Sequence, residues 1–347
     1  MSSRATIRDV AALAGVSVGT VSRALRGYPD VAAHTNASVH EAAQTLGYRP
    51  AAAARTVRLG RSGLVGAFLS PCGENAENLQ PFGRLVVAGL ARRLGEHDVA
   101  VLDFERVEGL IDQVSERQLD ATVLVAVDAP TLAHLDPADV PCPLVGVDTA
   151  CPIEVRADSA RGIALAVEHL AALGHRRIAF AGAQPSTVAG RERLRGFDAA
   201  VAALGLDRDE RLRHEGDFSQ AGGHAAAAAL LALDQRPSAI VAVSDLVAAG
   251  VCAAAAQRGL RVPRDLSVTG FDDLGVAQLL SPPLTTVSQD AYALGALAAD
   301  TVRALVDGGQ AESALVAPHL TVRGSTAPAQ RGAHYAAAAT GNERRSS

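Results

Sequence analysis

The sequence lacks most of the residue patterns on which metal, redox and disulfide chemistry depend. Its 347 residues include no Trp, one Met and four cysteines, and aromatic residues make up only 3%. Cys72, Cys142, Cys151 and Cys252 have no C-x-x-C spacing and no nearby His pattern. We interpret them as reduced thiols and expect neither a metal site nor a cofactor.

Long apolar runs are also missing. No stretch approaches the 18 uninterrupted apolar residues of a membrane span, and the first residues lack the apolar run of a signal peptide. We therefore expect a cytoplasmic protein with no membrane partner. Apolar residues at 48% exclude a wholly disordered chain, and the length suits two or three domains, each with its own core.

Enzyme motifs in their functional context are absent as well. The sequence has no P-loop and no G-x-G-x-x-G after a predicted strand, and its single G-x-S-x-G, residues 15–19, follows no predicted strand. Since an α/β fold alone excludes no enzyme, these missing motif contexts are the reason to expect no enzyme activity.

Charge is distributed unevenly along the chain. Eight arginines and three carboxylates give residues 1–62 a net charge of +5, so the remainder carries −10 against the overall −5. A basic end on an acidic body favours contact with a polyanion, although basic ends are often merely solvated.

Three short helices are predicted within residues 1–49. Thr6 and Asp9 have the spacing of a capping box that opens the first helix. Gly15 allows a sharp turn, and Ser17 caps the second helix. A third helix is expected over about residues 34–46. The buried side of the first helix is expected to consist of Val10, Ala11, Leu13 and Ala14.

The second predicted helix has two different faces. Val21, Ala24 and Leu25 form the apolar one. The other consists of Val18, Gly19, Ser22 and Arg23. Short side chains with one Arg suit insertion into the major groove, because the helix must approach the base edges and Arg can bond guanine twice. An ordinary solvated face is equally compatible with this spacing.

Residues 6–25 (TIRDVAALAGVSVGTVSRAL) and 46–50 (LGYRP) resemble the LacI/GalR family of bacterial transcriptional regulators. The resemblance implies an N-terminal all-α helix-turn-helix domain, residues 1–49, in a homodimer on double-stranded DNA with a near-palindromic operator. The residues then expected at DNA are Thr6, Ser17, Val18, Gly19, Thr20, Ser22, Arg23 and Arg26. Three positions depart from the family pattern: Gly19 replaces a polar residue, Arg26 an Asn, and Asn36 an Arg.

Residues 50–61 separate this domain from the body. A helix this short is marginal in water, so a passive linker is one interpretation. The resemblance implies instead a hinge helix that folds on DNA, with Arg55 at the DNA and Val57 wedged into the minor groove. Family members usually have Leu where this chain has Val57.

Beyond residue 62 apolar runs alternate with amphipathic stretches. The predicted buried strands are 64–69, 99–104, 122–127, 144–147, 178–181, 240–243 and 266–271. The predicted helices include 84–94, 161–173, 191–204, 221–233 and 246–258. This order predicts parallel sheets covered by helices, with a ligand at the carboxyl ends of the strands. So many strands suit two sheets, with a cleft between two subdomains.

The family resemblance extends over this region through residues 168–179 (EHLAALGHRRIA), 191–197 (RERLRGF) and 270–273 (GFDD). It implies an α/β periplasmic-binding-protein-like domain of two parallel-sheet subdomains over residues 62–326, which binds a small-molecule effector and dimerises. The expected effector residues are Asp148, Arg193, Phe218, Ser244 and Asp272. Arg193 and Asp272 would bond ligand polar groups, and Phe218 would stack. Residues 70–82 are longer and more acidic than the family's usual loop.

Several interpretations remain besides that of a repressor with a sugar effector. The effector could instead be a nucleoside or another non-sugar metabolite. An import-type binding protein would share the body but would need a signal peptide and no DNA-binding head. Residues 327–347 are rich in Ala, Gly and Arg, which predicts a disordered tail. Because the tail has no leucine heptads, we expect a dimer rather than a tetramer.

Overall fold

The structure is a computed structural model that describes residues 5–25, 28, 31–46, 48, 61–69, 76–95, 97–102, 104, 106–183 and 185–330. It divides the chain into two units, residues 1–63 and 64–347. Most of the predicted hinge, residues 50–60, and most of the predicted tail, residues 331–347, lie outside the described residues.

The first unit contains α1 (Ile7–Ala14), α2 (Val18–Ala24) and α3 (Ala33–Thr45). The predicted capping box is present, because the Asp9 amide donates to Thr6 Oγ1 and the Thr6 amide donates to Asp9 Oδ2 at 2.7 Å. Gly15 ends α1 in the left-handed region at φ 66°, and the Ser17 hydroxyl accepts from the Thr20 amide. Local sequence signals therefore set the turn between the two helices.

One prediction for this unit is wrong. Leu13 is 54% exposed, whereas the core of the three helices consists of Val10, Ala11, Val21, Ala24, Val39, Ala42 and Ala43. At 3.6 residues per turn, the stripe that contains Val10, Ala11 and Ala14 leaves Leu13 on another face of α1.

The second unit alternates strands and helices as the apolar pattern predicts. Its strands are β1 (Leu64–Leu69), β2 (Asp98–Leu102), β3 (Ala121–Val125), β4 (Leu144–Val147), β5 (Glu154–Ala157), β6 (Ile178–Ala183), β7 (Arg213–Glu215), β8 (Ala239–Ala242), β9 (Ser267–Phe271), β10 (Thr285–Ser288), β11 (Ala314–Val316) and β12 (His319–Thr321). Its α-helices are α4 (Ala76–Leu94), α5 (Val107–Arg117), α6 (Ala129–Leu132), α7 (Ser159–Ala172), α8 (Val188–Ala203), α9 (Gln220–Leu230), α10 (Asp245–Gln257), α11 (Gly275–Leu279) and α12 (Ala291–Val306). Two 3-10 turns lie at Pro137–Asp139 and Glu210–Leu212.

Two six-stranded sheets define two subdomains. The first has the order β11-β5-β4-β3-β1-β2 and its pairs are parallel; the second has the order β12-β10-β9-β8-β6-β7, with β12 antiparallel to β10. The chain crosses between the subdomains after β5, after β10 and between β11 and β12. Each sheet is covered by helices and has its own apolar core. The fold class predicted from the sequence is therefore confirmed.

Close helix packing in the first subdomain depends on two glycines. A Cβ at Gly89 of α4 would lie 2.0 Å from the carbonyl oxygen of Tyr292, and one at Gly295 of α12 would lie 1.9 Å from that of Val86. Because neither position has room for a methyl group, the two helices approach each other backbone to backbone.

The body continues past the predicted boundary at residue 326. His175 Nε2 lies 3.0 Å from the carbonyl oxygen of Ala327, the Ala329 amide donates to the Leu173 carbonyl, and the Gln330 side chain donates to the Arg264 carbonyl. Residues 327–330 are thus bound to the second subdomain.

Candidate functional site

A cleft lies where strand ends of the two sheets meet. The residues that line it are Phe82, Ala126, Asp148, Thr187, Ala189, Arg193, Phe218, Ser244, Leu246, Asp272, Leu274 and Gln289. All five predicted effector residues are among them. Asp148 follows β4 and Asp272 follows β9, as expected for the carboxyl ends of parallel strands.

Arg193 on α8 is the buried cation of the cleft, with 2% of its side chain exposed. Its Nη1 donates to the Val243 carbonyl at 2.7 Å, and its Nη2 donates to Asp272 Oδ1 at 3.2 Å. Its guanidinium carbon lies 3.7 Å from the centre of the Phe271 ring. The carboxylate and the ring fix the guanidinium in place.

Asp272 shares its carboxylate between the protein and the cleft. Oδ1 accepts from Arg193 and from Gln289 Nε2, the latter at 2.6 Å. Oδ2 has no hydrogen-bond partner among the described residues. Burial raises the pKa of Asp272, while the charge of Arg193 lowers it. One oxygen is therefore positioned by the protein, and the other can accept from a ligand.

The loop that presents Asp272 has an unusual backbone. Asp272 has φ 106° and Asp273 has φ 54°, both in a region that non-glycine residues seldom adopt. Asp273 Oδ1 accepts from Arg323 Nη2 at 2.6 Å, and Asp245 Oδ2 accepts from the Leu274 amide at 2.7 Å. These bonds hold the loop in its strained conformation.

Asp245 is the buried support beneath this loop. Its carboxylate also accepts from the Thr286 hydroxyl, and the side chain is fully enclosed. Burial, reinforced by the charge of Asp272, raises the pKa of Asp245 to about 8. Asp245 does not line the cleft, so it acts on the site through the position of Leu274.

Asp148 faces the cleft from the first subdomain. It is 7% exposed, has φ 48°, and its carboxylate makes no hydrogen bond within the described part of the chain. Burial raises its pKa to about 6, against the opposing charge of Arg193. A buried carboxylate without a partner is costly, so this group is positioned to accept hydrogen bonds from a ligand.

Phe218 and Ser244 have structural contacts as well as positions in the cleft. The Phe218 ring centre lies 5.8 Å from the guanidinium carbon of Arg193. Ser244 Oγ accepts from the Val247 amide at 3.3 Å and caps α10. Part of the hydrogen-bonding capacity of Ser244 is therefore used by the helix.

The three described cysteines, Cys142, Cys151 and Cys252, do not line the cleft. Burial raises the pKa of Cys151 to about 12 and that of Cys252 to about 11, so both remain protonated thiols at neutral pH. Within the described residues no cluster of His, Cys, Asp and Glu could hold a metal ion. In the same part of the chain, no helix is long and apolar enough to cross a membrane.

The first unit has a separate exposed face on α2. Val18, Gly19 and Arg23 are exposed there, while Val21 and Ala24 are buried. Ser17 Oγ and Thr20 Oγ1 lie 2.9 Å apart at the start of α2. Hydroxyls at the start of an exposed helix suit phosphate binding. Arg26, Arg55 and Val57 lie outside the described residues.

Family profiles and relatives account for both units. The profile of bacterial regulatory proteins of the lacI family matches residues 6–51, and that of a periplasmic binding protein-like domain matches residues 167–326. The chain is 34% identical to the HTH-type transcriptional regulator CelR of Thermobifida fusca over 93% of this chain and 98% of CelR. The chain belongs to the LacI family of bacterial regulatory proteins. It is a DNA-binding transcriptional regulator with a small-molecule binding domain, and not an enzyme.

Other similar proteins and solved structures are also transcriptional regulators. The ribose operon repressor of Escherichia coli K12 is 31% identical over 86% of this chain and 92% of its own length. A lac repressor dimer bound to operator and the anti-inducer ONPF has a TM-score of 0.80 and 29% identity, over 94% of this chain and all of that chain. A CelR–cellobiose complex has a TM-score of 0.71 and 30% identity, over 93% of this chain and all of that chain.

Seven further described residues line the cleft that the sequence analysis had not named as effector residues. Two are polar: Thr187, the N-cap of α8, and Gln289, which directly follows β10. Because β10 (TTVS) is not an apolar run, no strand signal marked Gln289. The apolar members are Phe82, Ala126, Ala189, Leu246 and Leu274. Nothing in the sequence distinguishes these from ordinary core residues.

Proposed function

We propose that this LacI-family protein is a repressor that binds a near-palindromic operator as a homodimer, and that a neutral sugar in the cleft changes its operator affinity. The supporting observation for the effector class is a surplus of hydrogen-bond acceptors. The Asp148 carboxylate and Asp272 Oδ2 have no partner among the described residues, and Gln289 Oε1 is buried without one. A ligand with several hydroxyl donors would satisfy all three.

The charge of the cleft wall favours a neutral sugar over an acidic one. Among the described residues, two carboxylates and one arginine line the cleft, and Arg193 is already paired with Asp272. A carboxylate or phosphate on the ligand would face like charge in a buried site, which is unfavourable. Relatives whose names mention ribose and cellobiose support the sugar class.

A nucleoside is the alternative effector, because Phe82 and Phe218 place two aromatic side chains on the cleft wall. A thermal-shift screen separates these classes, since a ligand that binds the folded state raises its melting temperature. The screen should contain neutral mono- and disaccharides, the matching sugar phosphates, and nucleosides. We expect stabilisation by a neutral sugar and none by its phosphate. Stabilisation by sugar phosphates alone would contradict the proposed class.

The proposed DNA contacts come from the exposed face of α2 and from the hinge. Val18, Gly19 and Arg23 would meet base edges in the major groove, and hydroxyls of Thr6, Ser17, Thr20 and Ser22 would bind phosphates. Because Gly19 offers no side chain, we expect weak base preference at its position. Residues 50–61 are proposed to fold as a hinge helix on DNA, with Arg55 and Val57 at the minor groove. Arg26, which follows α2, is proposed to lie near the phosphate backbone of the DNA.

The proposed homodimer would match the two half-sites of an operator, since the symmetry of a dimer is mirrored in the DNA that it binds. The lac repressor dimer bound to operator, to which the chain is similar, supports the same assembly here. Selection from random duplexes, with sedimentation at the same protein concentration, tests both points. A symmetric site bound by two copies is expected, and an asymmetric site bound by one copy would contradict the proposal.

A further inference from the structure

Within the described residues, two contacts join the subdomains beside the cleft, and one of them lies close to the point where the chain crosses after β5. The Ala129 amide, which follows β3, donates to the Ser186 carbonyl at 3.1 Å. Arg156 Nη1 on β5 donates to Glu192 Oε2 on α8 at 2.6 Å. In each case one partner belongs to the first subdomain and the other to the second.

Arg156 and Glu192 each have a second ionic contact within their own subdomain. Arg156 Nε lies 3.2 Å from Glu154 Oε2 on the same strand, and Arg195 Nη2 lies 3.5 Å from Glu192 Oε1 on the same helix. Arg156 and Glu192 are 29% and 16% exposed, whereas Arg195 is 72% exposed. The Arg156–Glu192 pair is better shielded from solvent than the Arg195–Glu192 pair, and of these three ion pairs it is the only one that joins the subdomains.

The pair is linked rigidly to the groups that face the cleft. Glu192 directly precedes Arg193 on α8. Arg156 lies on β5, which pairs with β4, and Asp148 directly follows β4. A rotation that separates Asp148 from Arg193 therefore also acts on the pair of Arg156 and Glu192.

We infer that Arg156 and Glu192 are positioning residues of the effector site, whose ion pair holds the two halves of the cleft together before any effector binds. The ligand-facing groups of the two subdomains are then at binding distance in advance, and the cost of ordering them on binding is lower. This inference rests on the fold and not on the proposed effector.

Amide exchange at Ala129 measures this closure directly, because its hydrogen bond to Ser186 exists only while the halves are together. We would record hydrogen–deuterium exchange of the full-length protein without effector, following residues 127–133. Partly exposed ion pairs contribute up to about 1 kcal/mol, so Arg156→Gln and Glu192→Gln should each speed exchange of the Ala129 amide about two- to fivefold. The double variant should be no faster than the single ones, and Arg156→Lys should fall between Arg156→Gln and wild type.

Arg195→Gln is the matched control. It also removes one arginine from Glu192, but that arginine is on the same helix, so exchange at Ala129 should stay at the wild-type rate. The core strand 178–183 serves as the internal reference and should not change in any variant. Equal rates for Arg156→Gln and Arg195→Gln would overturn the inference. Faster exchange throughout the second unit would also overturn it, because the pair would then stabilise the fold in general rather than the closed cleft.

Discussion

Replacing Asp272 by Asn tests the site with very little change of shape. In the structure Oδ1 accepts from Arg193 and Gln289, and an amide oxygen can keep both bonds. The amide NH₂ would take the place of Oδ2, so an effector hydroxyl that donates there would meet a donor instead. Leaving a buried group without its partner costs about 1–3 kcal/mol, which corresponds to about 5- to 150-fold weaker effector binding.

Asp273→Asn is the matched control for this change. Asp273 lies on the same loop and also has positive φ, which Asn tolerates. Its carboxylate accepts from Arg323 and from Thr321, and it does not line the cleft. In Asp273→Asn the amide oxygen can still accept from Arg323, so the loop keeps its conformation. We therefore expect a lower free energy of unfolding and effector affinity at the wild-type value.

Calorimetric titration of both variants with the neutral sugar found in the screen provides the measurement, with operator affinity determined in parallel at one salt concentration. Asp272→Asn should lose effector affinity and keep operator binding. The reasoning would be refuted if Asp272→Asn bound the sugar like wild type, or if Asp273→Asn weakened binding equally.

Four further predictions concern other residues. Arg23→Ala should weaken operator binding by about 1–3 kcal/mol and relax selectivity at one base pair, as measured by anisotropy with a panel of single-base operator variants. Val57→Gly should weaken operator binding severely and Val57→Leu should tighten it, with effector affinity unchanged; insensitivity to both would favour a passive linker. Because the pKa of Asp148 is raised to about 6, its carboxylate accepts best above that pH. Effector affinity should therefore fall as pH drops through 6, and a calorimetric pH series should be flatter for Asp148→Asn. The pKa of Asp245 is raised to about 8, so the folded protein favours its neutral form. The stability that this group contributes is present below pH 4 and lost as pH rises towards 8; thermal unfolding of Asp245→Asn should lack that dependence, and a parallel decline in both proteins would assign it to other groups.

The alternation of strands and helices was readable from the sequence because buried parallel strands are continuous apolar runs. β1 and β4 have the predicted bounds, and both subdomains have the predicted layers. The sequence analysis assigned no strand to β5, β7, β10, β11 or β12. These strands have only three or four residues, and those of β5 and β7 include charged side chains. β5, β7 and β10 lie in the same sheet as the strand before each of them, whereas β11 and β12 each follow a crossing between subdomains, which apolar patterns do not encode.

The cleft was predictable only in part. Asp148, Arg193 and Asp272 could be identified because family motifs and strand ends mark them. Their geometry could not be, since the positive φ of Asp148 and Asp272 results from the folded surroundings. The pairing of Arg156 with Glu192 joins residues that are 36 positions apart in different subdomains. Leu13 shows that even a short helix can be assigned the wrong face when every apolar residue is counted as buried.

Control of DNA binding from the cleft is tested most directly by titrating the selected operator with the full-length protein, with and without a saturating neutral sugar. Coupling between the two sites should change operator affinity at least about fivefold, and Asp272→Asn should bind the operator normally but show no change with the same sugar concentration. An operator affinity that no sugar alters, or an unchanged response in Asp272→Asn, would contradict control through this cleft.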